Sequence, residues 1–207
     1  MDKTIFESFE DYLEEADYPQ GKKKIMRSAV ELISTKGYDG TSTLNIAEHA
    51  GLSQATLFKY FKTKVDLLTA ILHPVVPGLF GSFFEELLTF ETTEEKIHYF
   101  VHNRMSYLKK NRALIKIIFH EIFSNNKLRN EQKFIWNTIQ DKLQKFHKEL
   151  LADPRVDPDL TIPQMARICV GPLLAYFAQL YIIGDNDEMR VEDLDLLEKQ
   201  ILGGLWK

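Results

Sequence analysis

One short segment of the 207-residue chain carries hydrogen-bonding, methyl and ring groups on a single helical face. A glutamine at its start can form two hydrogen bonds to adenine, and an alanine or threonine methyl can touch a thymine methyl in the major groove. Ser53 and the backbone amides at the helix start suit a phosphate group. For each residue taken alone, plain solvent exposure is the alternative. The predicted exposed set is Gln54, Ala55, Thr56, Phe58, Lys59 and Tyr60.

Two short helical patterns position these side chains. The first runs from about Thr43 to Ala50, and the second begins at Ser53 or Gln54 and ends near Tyr60. A turn of about three residues around Gly51 joins them, which is typical of a helix-turn-helix. Gly51 supplies the backbone conformation that a sharp turn needs. The residues predicted to be buried around this turn are Ile46, Ala47, Leu52, Leu57 and Phe61.

Charge is unevenly distributed along the chain, whose formal net charge is −4. Residues 1–20 hold one Lys against seven Asp and Glu, a regional charge of −6. Residues 22–64 hold eight Lys and Arg against three Asp and Glu, a regional charge of +5. A basic segment inside an acidic protein is a candidate footprint for nucleic acid. The alternative is a solvated, lysine-rich helix start at residues 22–24.

Apolar residues recur at helical spacing along nearly the whole chain, and hairpin signals between alternating strands are lacking. The pattern predicts an all-α protein. Capping boxes are predicted at Thr4–Glu7, Thr92–Glu95 and Thr161–Gln164, and Pro74 and Pro77 are expected to end or offset the helix that precedes them. The approximate predicted helices are 4–16, 25–35, 43–50, 54–60, 63–73, 78–90, 93–109, 112–123, 127–151, 161–183 and 190–205.

Residues 22–72 contain a dense series of short motifs. They are the helix Ile25–Lys36, Gly37-Tyr38, Thr41-Ser42, Ile46-Ala47, Ala50-Gly51-Leu52-Ser53, Thr56-Leu57-Phe58, Tyr60-Phe61-Lys62 and Lys64-x-Asp-Leu-Leu. With these motifs the segment resembles the DNA-binding domain of the tetracycline-repressor (TetR/AcrR) family. The resemblance covers about a quarter of the chain, and the overall length and the helical remainder also fit. Two departures stand out, since Ala55 occupies a position where Gly is frequent and Phe58 one where Tyr is frequent.

The resemblance implies a homodimeric, ligand-responsive transcriptional regulator, usually a repressor, on near-palindromic double-stranded DNA. It implies a three-helix helix-turn-helix domain at 21–73 and a helical bundle for dimerisation and effector binding at 74–207. The acidic extension at 1–20 is longer than this family usually has. The extension either shields the basic surface or packs on the C-terminal bundle. DNA contacts carried over by position are Thr41, Ser42, Thr43, Ser53, Gln54, Ala55, Thr56, Phe58, Lys59, Tyr60 and Lys64. Lys64 is also poorly placed against the helix dipole, a misfit that a phosphate would relieve.

The C-terminal half is rich in aromatic residues. The resemblance implies a pocket there for a small apolar or amphipathic effector, and an ordinary helical core is the alternative. The pocket residues expected on this basis are Phe84, Phe100, His102, Asn103, Phe119, His120, Phe123, Trp136, Tyr176 and Gln179.

The helix predicted over 161–183 is apolar nearly all round, which favours burial on more than one side, and Gly171-Pro172 should kink it. It pairs with the helix over 190–205 as the candidate four-helix interface of a two-fold dimer. Burial within one chain is the alternative. The interface residues expected are Ala175, Ala178, Leu194, Leu197, Ile201 and Leu205.

Other constellations are weak. His98 and His102 lie at metal-ligand spacing on a helix, with Glu94 and Glu95 one turn earlier, but the spacing fits surface residues better. Cys169 sits in an apolar helix, where thiols are usually inert. We therefore expect no metal, no cofactor and no catalytic residues.

The single cysteine, the acidic N-terminus and the interrupted apolar stretch favour a cytoplasmic protein without a membrane span. The alternative function is a helical ligand-binding protein or enzyme whose helix-turn-helix is vestigial.

Overall fold

The structure is a computed structural model that describes residues 8–80, 82–124, 129–184 and 188–207. Within these ranges, the side chains of residues 73–80, 119–124 and 129–138 are not described. These residues are almost entirely helical, as predicted, and the isolated antiparallel bridge Val156–Trp206 is the exception. The helices are α1 Phe9–Glu15, α2 Gln20–Lys36, α3 Thr43–His49, α4 Gln54–Tyr60, α5 Lys64–Phe80, α6 Phe83–Leu87, α7 Thr93–Lys110, α8 Arg112–Ser124, α9 Arg129–Leu151, α10 Ile162–Ala178 and α11 Val191–Leu205, with a π-helical turn at Gln179–Ile183.

The chain divides into two compact units. The first comprises Met1–Leu79 and Lys110–Trp136, and the second comprises Phe80–Lys109 and Asn137–Lys207. The units differ from the contiguous domains expected from sequence because α8 packs on α2, within the first unit. The functional division at residue 74 stays a prediction.

Helix boundaries follow the predicted capping signals where those signals are local. Ser42, Ser53 and Thr63 each accept a hydrogen bond from the amide three residues ahead, at 3.0–3.1 Å. The boxes Thr92–Glu95 and Thr161–Gln164 are also present. The box at Thr4–Glu7 lies outside the described residues, and Ser8 caps α1.

Three predicted boundaries were wrong. Helix α2 begins at Gln20, because Pro19 serves as its N-cap and proline suits a helix start. Helix α5 continues through Pro74 and Pro77 to Phe80, so the prolines do not end it, since each removes only one helical donor. An offset of the helix at these prolines stays a prediction. The helix predicted over 78–90 is therefore only α6, since its first turn belongs to α5.

Residues 9–15 of the acidic extension form α1, which packs on α2 within the first unit. Phe9 and Leu13 are buried there, at 5% and 0% exposure. Arg27 of α2 binds Glu10 at 2.8 Å and Glu14 at 2.5 Å, and these bonds raise the pKa of its guanidinium. The Phe9 amide donates to Asn111 Oδ1 at 3.2 Å, which ties α1 to the start of α8. The extension thus covers part of the basic surface, which is one of the two outcomes left open above.

In the second unit, one buried stripe runs along α10 through Met165, Cys169, Leu173 and Phe177. Burial raises the pKa of the Cys169 thiol to about 12, so it stays protonated and unreactive at neutral pH. The opposite face is open, since Val170 is 40% exposed. Within the chain, α10 is therefore buried on one side only, and a kink at Gly171-Pro172 stays a prediction.

The segment Ile162–Ile183, formed by α10 and the π-helical turn, is long and apolar enough to cross a membrane by length and composition alone. That is weak evidence for a span, because core helices of soluble proteins meet the same criterion.

Candidate nucleic-acid interface

Helices α3 and α4 form the helix-turn-helix that the sequence predicts. The turn contains Gly51 with φ of +67°, a left-handed conformation that favours glycine. The Leu52 amide closes the turn by donating to Ala47 O at 2.9 Å. Ile46, Ala47 and Leu57 are fully buried, and Phe61 is nearly so. These contacts hold α4 in one orientation against α2 and α3.

The outer face of α4 presents most of the predicted contact residues. Ala55, Phe58 and Lys59 are exposed, with Phe58 at 45%. Gln54, Thr56 and Tyr60 are half-buried. Tyr60 lies over the start of α2, where a Cβ added to Gly21 would come within 3.3 Å of its hydroxyl oxygen.

Two polar pairs preorganise this face. The Gln54 amide nitrogen donates to Thr43 Oγ1 at 2.9 Å, which joins the start of α4 to the start of α3. Ser53 Oγ lies 2.9 Å from Thr56 Oγ1 and also accepts from the Thr56 amide. Both pairs place hydrogen-bonding groups at the N-terminal end of α4. The Gln54 amide also carries an oxygen and a second N–H with which it can pair with a base.

Thr41 was wrongly predicted as a DNA contact. Its side chain is 1% exposed, and its hydroxyl donates to Gly37 O at 2.8 Å and to Leu32 O at 3.3 Å. Thr41 therefore links the loop to α2, because a buried hydroxyl needs partners inside the protein. The neighbouring Ser42 is exposed and caps α3 in a capping box with Asn45.

Lys64 has partners within the chain. Its ammonium donates to Tyr38 O and lies 3.8 Å from the centroid of the Tyr38 ring. A carbonyl and an aromatic face thus relieve the unfavourable position of this cation at the start of α5. The helix dipole therefore gives no separate argument for a phosphate at Lys64, and a phosphate contact by Lys64 stays a prediction.

Fewer basic side chains are exposed beside the helix-turn-helix than the eight that the sequence contains in residues 22–64. Lys23 is buried and donates to Glu14 O, Arg27 is paired with α1, and Lys22 lies over the Tyr18 ring at 3.5 Å. The lysines left exposed beside the helix-turn-helix include Lys59 and Lys62. Lys62 was not singled out as a contact from sequence, although its place in the basic segment was a usable signal.

Some predicted effector residues come together in the second unit. Phe84 lies 6.3 Å from Phe146, and Phe100 lies 5.8 Å from Phe83, measured between ring centroids. Asn103 donates to the Tyr99 hydroxyl at 2.9 Å. The side chains of Phe119, His120, Phe123 and Trp136 lie outside the described residues.

A cation borders this aromatic cluster. The guanidinium carbon of Arg104 lies 3.8 Å from the Phe83 ring centroid, and its nitrogens donate to Asn103. Burial lowers the pKa of Arg104 to about 10. Burial and a hydrogen bond to Glu86 raise the pKa of Tyr99 to about 12. Apolar rings with a few polar groups are typical of a site for a small ligand.

Three other predicted effector residues have polar partners outside the cluster or are exposed. His102 faces Glu198 at 3.1 Å, and the Tyr176 hydroxyl donates to Asp193 at 2.9 Å. Gln179 is exposed. Their place in one pocket with Phe84 and Phe100 stays a prediction.

The predicted dimer residues also divide by exposure. Leu194, Leu197, Ile201 and Leu205 are at most 9% exposed within the single chain, so they pack against its own core and the intramolecular alternative holds for them. Ala175 is exposed and Ala178 is half-buried. Apolar residues that sequence reasoning missed are exposed on α10, on the π-helical turn after it and on α11. Together these residues are the open face of α10 and α11. They are Val170, Ile182, Ile183, Val191 and Leu196, each at least 40% exposed.

The sequence matches known regulators over this region and beyond. The family model described as bacterial regulatory proteins, tetR family, matches residues 25–71. A probable HTH-type transcriptional regulator, YttP of Bacillus subtilis, is 28% identical over 144 residues, which span 64% of this chain and 69% of the relative.

Solved structures share the fold over almost the whole chain. A TetR family transcription regulator from Marinobacter aquaeolei superposes with a TM-score of 0.70 at 17% identity, covering 91% of this chain and 96% of the other. The regulator FadR from Bacillus subtilis, solved in complex with stearoyl-CoA, has a TM-score of 0.68 at 22% identity, covering 87% and 95%. With the helix-turn-helix in place, these findings support a DNA-binding transcriptional regulator of the TetR family.

Proposed function

We propose that the chain is a cytoplasmic, homodimeric repressor that leaves a near-palindromic operator when a small apolar or amphipathic molecule binds its second unit. The observation that carries this proposal is the open face of α4, held on a buried Leu57 and preceded by the Gly51 turn. A two-fold dimer would place two such helices in successive major grooves, about one helical turn or a multiple of it apart.

The open face of α10 and α11 supports the dimer. Leu196 is 52% exposed and Val191 65% exposed, although Leu194 and Leu197 of the same helix are buried. Exposed apolar patches of this kind mark association surfaces. Two copies of the helix pair would cover one another in a four-helix interface.

The aromatic cluster of α6 and α7 supports an amphipathic effector. Its rings offer apolar contact, and Arg104 offers a cation beside them. Stearoyl-CoA, which the similar Bacillus subtilis FadR holds, combines an acyl chain with phosphates and is therefore the first probe. Binding of the effector shifts the population of dimers away from the DNA-bound form only if its affinity differs between the two forms.

Selection of bound duplexes from a random pool at several salt concentrations tests DNA binding. We expect an enriched near-palindrome whose affinity falls steeply with salt. No enrichment at low salt, with a sample that mass spectrometry shows to be free of small molecules, contradicts the proposal. Repression is then tested by transcription in vitro from a promoter that contains the selected site.

Replacing Lys64 by alanine should weaken binding to every DNA sequence, because a lysine bound to phosphate carries no sequence information. The slope of log affinity against log salt should fall by about 1 for each phosphate that the variant no longer neutralises. Titration of the selected operator at four salt concentrations measures the slope. Lys148→Ala, at an exposed lysine of α9, is the matched control, and an unchanged slope in Lys64→Ala shows that Lys64 does not bind phosphate.

Replacing Gln54 by alanine should relax base preference at one position of each half-site, by about 1–3 kcal/mol of discrimination. The salt slope should stay unchanged, because no charge is removed. Repeating the selection with the variant measures the preference. Lys64→Ala is the control with the opposite expectation, since it should change the salt dependence of the affinity and leave the selected DNA sequence the same. An unaltered motif in Gln54→Ala excludes this base contact.

A further inference from the structure

Two histidines of α7 and one glutamate of α11 meet in the second unit. His98 and His102 lie one helical turn apart, with ring centroids 4.2 Å from each other. His98 Nδ1 lies 2.9 Å from Glu198 Oε1, and His102 Nε2 lies 3.1 Å from the same oxygen. The three residues thus each offer one ligand atom, and these three atoms lie within 4.8 Å of one another.

This grouping offers the donor set of a transition-metal site. Imidazole nitrogen and carboxylate oxygen bind Zn²⁺ at about 2.0–2.2 Å, and three protein ligands with one water complete a tetrahedron. Ligand atoms of such a tetrahedron lie about 3.3 Å apart, which small side-chain movements reach from the observed 2.9 and 3.1 Å. Imidazole ligands favour Zn²⁺, Ni²⁺, Co²⁺ and Cu²⁺ over Mg²⁺.

The surroundings allow an ion to enter. The side chains of His98, His102 and Glu198 are 62%, 37% and 18% exposed, so the histidines face solvent while the carboxylate lies beneath them. The acids closest in sequence are engaged elsewhere. Glu94 binds Arg155, and Glu95 caps α7 through Thr92. The third ligand therefore comes from α11, about 100 residues further along the chain.

We propose that His98, His102 and Glu198 bind one divalent transition-metal ion of the Zn²⁺ class. The ion replaces the hydrogen bonds that now link the histidines to the carboxylate, and it joins α7 to α11 through three coordinate bonds. The proposal replaces the expectation of no metal. It is independent of DNA binding and of the effector.

Calorimetric titration of the chelator-treated, tag-free, full-length protein tests the site. Zn²⁺ should bind with one ion per chain, and Mg²⁺ should not bind. His98→Asn, His102→Asn and Glu198→Gln should each lower the affinity at least about tenfold, because each removes one ligand. His49→Asn, at an exposed histidine of α3, is the matched control and should bind as the wild type does. Absence of Zn²⁺ binding, or equal affinity in all three variants and the wild type, overturns the proposal.

Two further measurements separate a three-ligand site from adventitious binding by two surface histidines. Co²⁺ should give the intense visible bands of tetrahedral coordination in the wild type and not in Glu198→Gln. Saturating Zn²⁺ should raise the Tm by about 5 °C in the wild type and by much less in Glu198→Gln, because a bridge between α7 and α11 exists only in the folded chain. Identical Co²⁺ spectra and identical Tm shifts in the two proteins overturn the role of Glu198.

Discussion

Replacing Leu196 by glutamate is expected to split the dimer and to lower operator affinity by about 10²–10⁴-fold. Leu196 lies on the open face of α11 at 52% exposure, so the variant places a charge where we propose that a second copy packs. A monomer engages one half-site at a time and lacks the gain in affinity that two linked DNA-binding units give. The fold of the single chain should be unaffected, because the side chain is already half in water.

Sedimentation velocity and operator titration measure the two effects of this change. Leu151→Glu is the matched control, because Leu151 is an exposed leucine of α9, outside the open face of α10 and α11. The control should remain dimeric and bind the operator normally. A Leu196→Glu protein that stays dimeric, or a wild type that is monomeric at micromolar concentration, contradicts the proposed interface.

Replacing Leu57 by alanine is expected to remove about 2–5 kcal/mol from the free energy of unfolding of the first unit. Leu57 is fully buried, whereas the other six residues of the seven-residue helix α4 are exposed or half-buried. A helix this short has little stability of its own, so packing must hold it in place. Operator affinity should fall at least about a hundredfold, because α4 loses its orientation as well as its support.

Urea unfolding and operator titration measure the two consequences together. Leu44→Ala is the control within the same helix-turn-helix. Leu44 is 46% exposed, so its truncation should change stability by less than about 0.5 kcal/mol. Full operator affinity in a Leu57→Ala protein that is destabilised as expected would contradict a positioning role for Leu57.

Sequence reasoning succeeded where the deciding interactions are local. Ser53 and Thr63 cap their helices through bonds to amides three residues ahead. Gly51 takes a positive φ that follows from the turn itself. It failed at Pro74 and Pro77, where helical backbone continues on both sides of two missing donors. It also misplaced Thr41, whose exposure depends on how the loop meets α2.

The sequence by itself determined the all-α class, the helix-turn-helix and the resemblance to the TetR family. These follow from helical periodicity, cap residues and a dense motif, each of which depends on residues close together in the chain. The tertiary structure decided which apolar residues of α10 and α11 stay open and which cations α1 covers. It also placed Glu198 against His98 and His102. Periodicity places a side chain on its own helix, but the partner that meets it is chosen by packing between helices far apart in sequence.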